Sequence, residues 1–516
     1  MITTQRARLA EAVTSLWPTC SLPDAALGDD APLCLSRDSR EIGRCPHPAV
    51  FIAVPGVASD GRRFIADALA AGAEWVLADA DGREAFAEVP GHDAARVVWL
   101  PELRHSLGAL GRALFAVPET LSLIGVTGTN GKSSVTHYLA ALSEALGRPA
   151  GVVGTLGWGR PGALVDSGQT TPGALELQAA LGAMAADGVE RVALEVSSHA
   201  LDQDRLAGAT LRAAVFTNLT RDHLDYHGSM AAYAAAKARL FRRPELELAV
   251  VNGDDPLAPL MLAGLPAGVR VLAAGEAEST TLRVLDWLPH ADGQRALIAT
   301  PDDERALELA LMGRFNLDNV LLAMATLLGL GEDLDALCDA AASLAPVPGR
   351  MQRVSRPGAP TVVVDYAHTP EALRHALEAL RAHLPGDATS PAPGRLWCLF
   401  GCGGDRDTGK RALMGDAAGA VADRCVVTDD NPRSEEPAAI RRQILDGMNA
   451  SARERAWCID GRGAAIERAV AEAGPDDVIL IAGKGHEDYQ EIAGKRWPFS
   501  DRARAEAALA QRGAAT

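Results

Sequence analysis

The chain has 516 residues, too many for one ordinary domain of roughly 100–200, so two to four domains are expected. A net charge of −17 and a pI near 5.2 exclude a nonspecific nucleic-acid binder, and any phosphate must be held locally. The longest apolar run, Val320 to Leu330, covers 11 residues against the roughly 20 that span a bilayer, which excludes a membrane helix. The start, MITTQRARLAEAV, has no uninterrupted apolar core and reads as no signal peptide. Eight cysteines without a C-x-x-C pair, several inside apolar runs, predict buried thiols in a reducing cytoplasm.

In chain order, short apolar, β-branched runs alternate with Ala/Leu-rich helical stretches, the pattern of parallel α/β domains. The first hundred residues offer two strands, AVFIAV (49–54) and WVLA (75–78), a small α/β unit. The connector LPELRHSLGALGRALFAVPET then leads to LSLIGV (121–126), and a second break falls at LAPVPGRM. The expected domains are 1–105, 106–346 and 347–516. LPGDATSPAPG (384–394) reads as a surface loop.

The loops after the strands carry the chemistry. TGTNGKSS, SSHALDQDR, NLTRDHLDYH and NGDDP come after the central strands, and YAHTP, GCGGDRD, DDNPR and GKGHE after the last four. Parallel strands place their carboxyl ends on one edge, where open α/β sheets bind ligands. Ordinary strand-to-helix turns also favour Gly, Asp and Asn. Eight such loops carrying His, Lys, Arg and carboxylates point to two binding edges.

GVTGTNGKSS (125–134) is the sharpest signal. A strand opening onto Gly128, Gly131, Lys132 and Ser133, then a helix, sets backbone N–H groups around a phosphate chain. Lys132 would meet the β/γ oxygens and Ser133 would hold Mg²⁺. The usual first glycine is Val126 here, with Gly125 and Gly128 supplying a displaced pair. Glu195, at a strand end, is a natural Mg²⁺ partner, because that ion prefers oxygen. His223 is a less usual one, and a purely structural histidine is the other reading. Lys237, in AAYAAAKARL, reads by composition as a helix-surface lysine. Arg433, among the acidic side chains of TDDNPRSEEP, either awaits an anion or pairs with Asp430, Glu435 or Glu436.

TGTNGKSS, LEVSSHALDQDR, FTNLTRDHLDYHGSMAAYAAAK, GRFNLDN, PGRM, DYAHTP, GCGGDRDTGKR, DDNPR and GKGHEDYQ, in this order, resemble the Mur ligases of peptidoglycan synthesis. The resemblance runs from about residue 38 to 502 and is nearest the members that add meso-2,6-diaminopimelate to UDP-N-acetylmuramoyl-L-alanyl-D-glutamate. It implies three α/β domains on mainly parallel sheets: an N-terminal UDP-sugar unit, a central P-loop ATPase and a C-terminal Rossmann-like domain for the amino acid. By motif, it implies UDP-sugar contacts at Ser39, Val57, Ala58 and Ser59, and muramoyl-dipeptide contacts at Gln169, Thr170, Thr171, Ser197, Gln203 and Arg205. ATP contacts are implied for Gly128, Thr129, Asn130, Gly131, Lys132, Ser133, Ser134, Asn316, Asn319, Arg350 and Asp365. Lys237 matches a lysine that the family carbamylates, an anionic Mg²⁺ ligand beside Ser133, Glu195 and His223. The resemblance puts Arg406, Asp430, Asn431, Pro432, Arg433, Gly483 and Glu487 around diaminopimelate.

The expected reaction is ATP-dependent amide formation through an acyl phosphate, catalysed by a cytoplasmic monomer with no nucleic-acid or membrane partner. A lysine-adding sister ligase or a folate polyglutamylating relative shares most of these motifs. A P-loop switch would instead hydrolyse nucleotide without needing an amino acid.

Overall fold

The computed structural model describes residues 2–20, 22–23, 30–57, 59–86, 94–384 and 394–514. It divides into two compact units, Met1–Val251 with Asp255–Val271, and Asn252–Asp254 with Leu272–Thr516. Ala58 and residues 385–393 of the expected surface loop lie outside the described residues.

The first unit opens with five strands in sequential order: Ile2–Gln5 (β1), Pro32–Ser36 (β2), Ala49–Ala53 (β3), Ala73–Asp79 (β4) and Val97–Leu100 (β5). Only β1 is antiparallel to its neighbour. The sequence reading finds β3 and β4 alone, because strands buried on both faces read as continuous apolar runs. β1 is a short edge strand with one buried residue, and no such run marks it. The helix Leu103–Leu114, which contains residue 105, contributes Leu103, Leu107 and Leu110 to the core of this sheet.

The same unit continues with Ser122–Thr127 (β6), Ala150–Gly154 (β7), Gly157–Gly159 (β8), Arg191–Glu195 (β9), Leu211–Phe216 (β10) and Leu248–Asn252 (β11). Their order is β11-β10-β6-β9-β7-β8, parallel except for β8. Val126 pairs with Glu195 and Thr127 with Phe216, so three polar loops leave one edge at nearly the same height.

Arg270–Gly275 (β12), which enters the second unit at Leu272, Leu282–His290 (β13), Gly293–Ala299 (β14) and Glu304–Leu309 (β15) come in order, the last three antiparallel. The helix Arg314–Gly329 carries the long apolar run and is buried along most of its length. No helix among the described residues is long and apolar enough to cross a membrane. A six-stranded sheet completes the unit: Gln352–Val354 (β16), Thr361–Asp365 (β17), Leu396–Phe400 (β18), Arg424–Val427 (β19), Ala456–Cys458 (β20) and Val478–Ala482 (β21). Its order is β16-β17-β21-β18-β19-β20, parallel except for edge strand β16, with an apolar core on each face. The hairpin Tyr489–Ile492 (β22) and Lys495–Pro498 (β23) stands beside it in sequence as a separate two-stranded sheet. All eight cysteines are free thiols.

Candidate functional site

The loop after β6 is a tight cradle. Gly128 has φ 151° and Gly131 φ 84°, and a Cβ on Gly128 would lie 1.8 Å from Thr217 Oγ1. Only glycine fits there. The loop is pinned from the β10 side: Thr129 N donates to Asn218 O (2.8 Å) and Asn130 N to Asn218 Oδ1 (3.0 Å). Lys132 opens the helix Lys132–Ala145, and its Nζ donates back to the carbonyls of Gly128 (2.9 Å) and Thr129 (2.8 Å). Ser133 and Ser134 are buried in the first helical turn.

Lys237 is not the surface lysine that composition suggests. It is 1% exposed, its Nζ donates to Gly128 O at 2.7 Å, and it lies 4.7 Å from the centroid of the Tyr233 ring. Burial, then the nearby charge of Lys132, holds its amine well below the ordinary lysine range. An Ala-rich helix facing the loop side gives no periodic polar face to reveal this. Glu195, also 1% exposed, ends β9 and accepts hydrogen bonds from Thr155 N (2.9 Å) and Thr155 Oγ1 (3.2 Å). His223 has a left-handed backbone (φ 51°), lies 3.5 Å from Asp222, and meets His199 edge-on at 4.9 Å between ring centroids. Burial, then His223 and His227, lowers the His199 pKa. Among the described residues no group of three or more His, Cys, Asp or Glu side chains has metal-holding geometry.

A cavity of about 1040 Å³ in the same unit is lined by Val57, Gln169, Gln203 and Arg205, with Arg8, Arg37, Arg104 and His105. Arg205 is fixed by Gln169 Oε1 (2.7 Å), Thr171 O (2.8 Å) and Gln203 Oε1 (2.8 Å). Thr171 Oγ1 donates to Glu195 O (2.8 Å) and accepts from Ser197 N (3.1 Å), while Ser197 caps the helix Ser198–Asp202. The Thr170 hydroxyl is 3.1 Å from that of Thr155. Ser39 starts the turn Ser39–Arg44, and the Ser59 carbonyl accepts from Gly56 N, but neither Ser39 nor Ser59 lines the cavity.

In the second unit Asn316 and Asn319 are buried on the helix Arg314–Gly329, and Asn316 Nδ2 donates to Met312 O (2.8 Å). Asp365, at the end of β17, accepts from Met351 N (2.7 Å) and Ala367 N (2.8 Å), and Arg350 lies over the Tyr366 ring at 4.5 Å. Burial pushes the Asp365 carboxyl up, against the pull of Arg350.

Arg433 and its loop come after β19. None of the three neighbouring carboxylates is its ion-pair partner: Glu435 takes the buried Arg411 (2.8 Å), while Arg433 Nε lies 3.5 Å from Glu491 Oε2 on β22. Its Nη1 donates to Gly404 O (2.6 Å), and its backbone N donates to Glu491 O (3.0 Å). Asn431, 3% exposed, is engaged inside the fold: Nδ2 donates to Glu487 Oε2 (3.0 Å), and Oδ1 accepts from Lys484 Nζ (3.1 Å) and Glu491 N (2.9 Å). Lys484 Nζ also reaches Glu487 Oε2 at 2.8 Å. Gly483 (φ 115°) donates to Asp365 O, and a Cβ there would meet Asp430 Oδ2 at 2.6 Å. The Pro432 carbonyl is packed against Gly404, and Arg406 is exposed in the loop after β18. Sequence reasoning missed Thr155, Lys484 and Glu491. Lys484 sits inside the quoted GKGHE motif, whereas nothing local marks Glu491.

Comparison with known proteins places this arrangement. Residues 126–327 match the Mur ligase middle domain, and residues 349–485 the Mur ligase glutamate ligase domain. The UDP-N-acetylmuramoyl-L-alanyl-D-glutamate--2,6-diaminopimelate ligase of Pseudomonas syringae pv. tomato is 47% identical over 481 residues, 92% of this chain and 94% of the relative. That of Pseudomonas aeruginosa is 48% identical over 463 residues, 89% and 92% of the two chains. A solved structure of a UDP-N-acetylmuramoyl-L-alanyl-D-glutamate--2,6-diaminopimelate ligase is 37% identical with a TM-score of 0.67, covering 93% of this chain and 95% of its own. The MurF ligase from Thermotoga maritima, solved in complex with ADP, shares the fold at 19% identity and a TM-score of 0.60, covering 93% and 96%. The chain therefore belongs to the Mur ligase family and has its three-domain α/β fold.

Proposed function

We propose that the chain joins meso-2,6-diaminopimelate to the D-glutamate side-chain carboxylate of UDP-N-acetylmuramoyl-L-alanyl-D-glutamate, converting ATP to ADP and phosphate, in peptidoglycan precursor synthesis. The observation that carries this reading is Arg433, held at a sheet edge with its side chain about a quarter exposed, in a chain 47–48% identical to 2,6-diaminopimelate ligases. Diaminopimelate is lysine with a second carboxylate, and a guanidinium can grip a carboxylate bidentately. Ligation is tested by phosphate release with the UDP-muramoyl-dipeptide present, comparing meso-diaminopimelate with L-lysine. Equal kcat/KM for the two would overturn the choice of amino acid.

A carboxylate is a poor electrophile, and an amine cannot displace oxide from it. The γ-phosphoryl of ATP therefore goes to the D-glutamate carboxylate, giving an acyl phosphate; the amine of diaminopimelate attacks that carbonyl and phosphate leaves. The amides of 128–134 and Lys132 hold the β/γ-phosphates, where charge is redistributed during transfer. Asn316, Asn319, Arg350 and Asp365 are assigned to the nucleotide's other contacts, and the cavity with Gln169, Gln203 and Arg205 to the UDP-muramoyl-dipeptide. By the motif match, Ser133, Glu195, His223 and Lys237 as its carbamate would hold Mg²⁺, an ion that prefers oxygen donors, the remaining positions going to phosphate and water. When bound, the ion neutralises phosphate charge. The buried Lys237 amine, its pKa pushed down by burial, suits carbamate formation, in which the nitrogen of the neutral amine adds to CO₂ and loses a proton. The domains are proposed at 1–105, 106–346 and 347–516, in a cytoplasmic monomer.

The products are expected to be ADP and phosphate, because the P-loop lysine addresses the β/γ junction. Pyrophosphate in a product assay by anion exchange would end the acyl-phosphate reading. Gly154→Ala is expected to lower kcat/KM roughly tenfold, about 1.4 kcal/mol. The new Cβ would lie 2.2 Å from Glu195 Oε1 and force the carboxylate off Thr155. Unchanged kinetics in that variant would remove Glu195 from the site.

A further inference from the structure

We infer that Glu491 is a resident stand-in for the substrate's second carboxylate: it occupies Arg433 until diaminopimelate displaces it, and so weakens both the affinity for diaminopimelate and the rejection of lysine. This rests on the reading that Arg433 takes that carboxylate.

Four observations carry it. The Glu491 contact is loose: Nε to Oε2 is 3.5 Å, beyond ordinary hydrogen-bond length, and both side chains are about a quarter exposed (23% and 25%). The guanidinium does not depend on it for position, since Nη1 is anchored on Gly404 O at 2.6 Å. The Glu491 backbone is fixed at both ends, its N on Asn431 Oδ1 (2.9 Å) and its O under Arg433 N (3.0 Å), so only the side chain has to swing away. Three nearby carboxylates have other partners: Glu435 pairs with Arg411, Glu487 with Lys484 and Asn431, and Asp405, which also feels the Arg433 charge, with Ser434.

Two carboxylates on one guanidinium repel each other, so the incoming group competes with Glu491. Bound lysine leaves that pair intact, and Arg433 is then spared the cost of lying unpaired. A loose, partly exposed ion pair of this kind is worth about 0–1 kcal/mol, up to roughly fivefold in affinity. Steady-state kinetics of Glu491→Gln with meso-diaminopimelate and with L-lysine test the inference. The expected result is a KM for diaminopimelate about three- to fivefold lower, with the change confined to KM and a higher diaminopimelate-to-lysine ratio of kcat/KM. Glu491→Asp, which keeps the charge, should fall between the variant and the wild type. An unchanged or raised KM for diaminopimelate in Glu491→Gln, with normal wild-type kinetics, would overturn this inference alone. A wild-type protein that does not use diaminopimelate would overturn the function it rests on as well.

Discussion

Lys237→Ala is expected to cut ligation at least about a hundredfold, some 2.7 kcal/mol of lost transition-state stabilisation at 1.36 kcal/mol per decade. The side chain is almost fully buried, its amine 2.7 Å from the Gly128 carbonyl of the loop after β6. Burial without an ion-pair partner disfavours the ammonium, and Lys132 adds repulsion of the same sign. A neutral amine is what adds CO₂, and the resulting carbamate reverses the charge at that point from a suppressed cation to an anion near Lys132. Alanine leaves a space of about that side chain's length, so acetate or propionate in the assay should restore part of the activity by supplying the missing carboxylate. Far-UV circular dichroism separates this from unfolding. Activity near wild-type, or a folded dead variant that no carboxylate rescues, would remove the carbamate from the mechanism.

Arg433→Ala should raise the KM for meso-diaminopimelate on the order of a hundredfold while leaving that for the UDP-muramoyl-dipeptide nearly unchanged. Loss of a partly buried charged contact costs roughly 2–5 kcal/mol, and about 2.7 kcal/mol corresponds to that factor. The backbone at Arg433 is set by its left-handed φ of 51° and by hydrogen bonds to Glu491 O on β22 and Ala493 N just after it. Those do not involve the side chain, so the loop should persist in the variant and the loss should fall on KM. Wild-type enzyme should still prefer diaminopimelate to L-lysine, because only the former brings a carboxylate to the guanidinium. A KM for diaminopimelate within about threefold of wild-type would show that Arg433 is not the selector.

Elements whose signal is local were legible in the sequence. TVVVD, LWCLF, RCVV and VILIA are strands because sheets covered on both faces demand unbroken apolar runs, and each is followed by its polar loop at the carboxyl edge. TGTNGKSS reads as a phosphate loop because two glycines, which the structure holds at positive φ, and a helix start are written next to one another. The ordered motifs were enough to point to the Mur ligases. Strands and partners that depend on distant chain were settled by tertiary pairing alone. β1 is a strand only because β2 pairs with it, and the meander β13–β15 alternates too weakly to stand out. Lys237 is indistinguishable from a surface lysine until its helix is laid against the loop after β6, where the Gly128 carbonyl closes over its amine. The partner of Arg433 could not be read from TDDNPRSEEP, since the nearby Glu435 is claimed by Arg411 from another helix and Glu491 arrives on a hairpin. Charge composition says how many counter-ions a loop has, but which pairs form is fixed by backbone geometry that brings remote segments within a few ångströms.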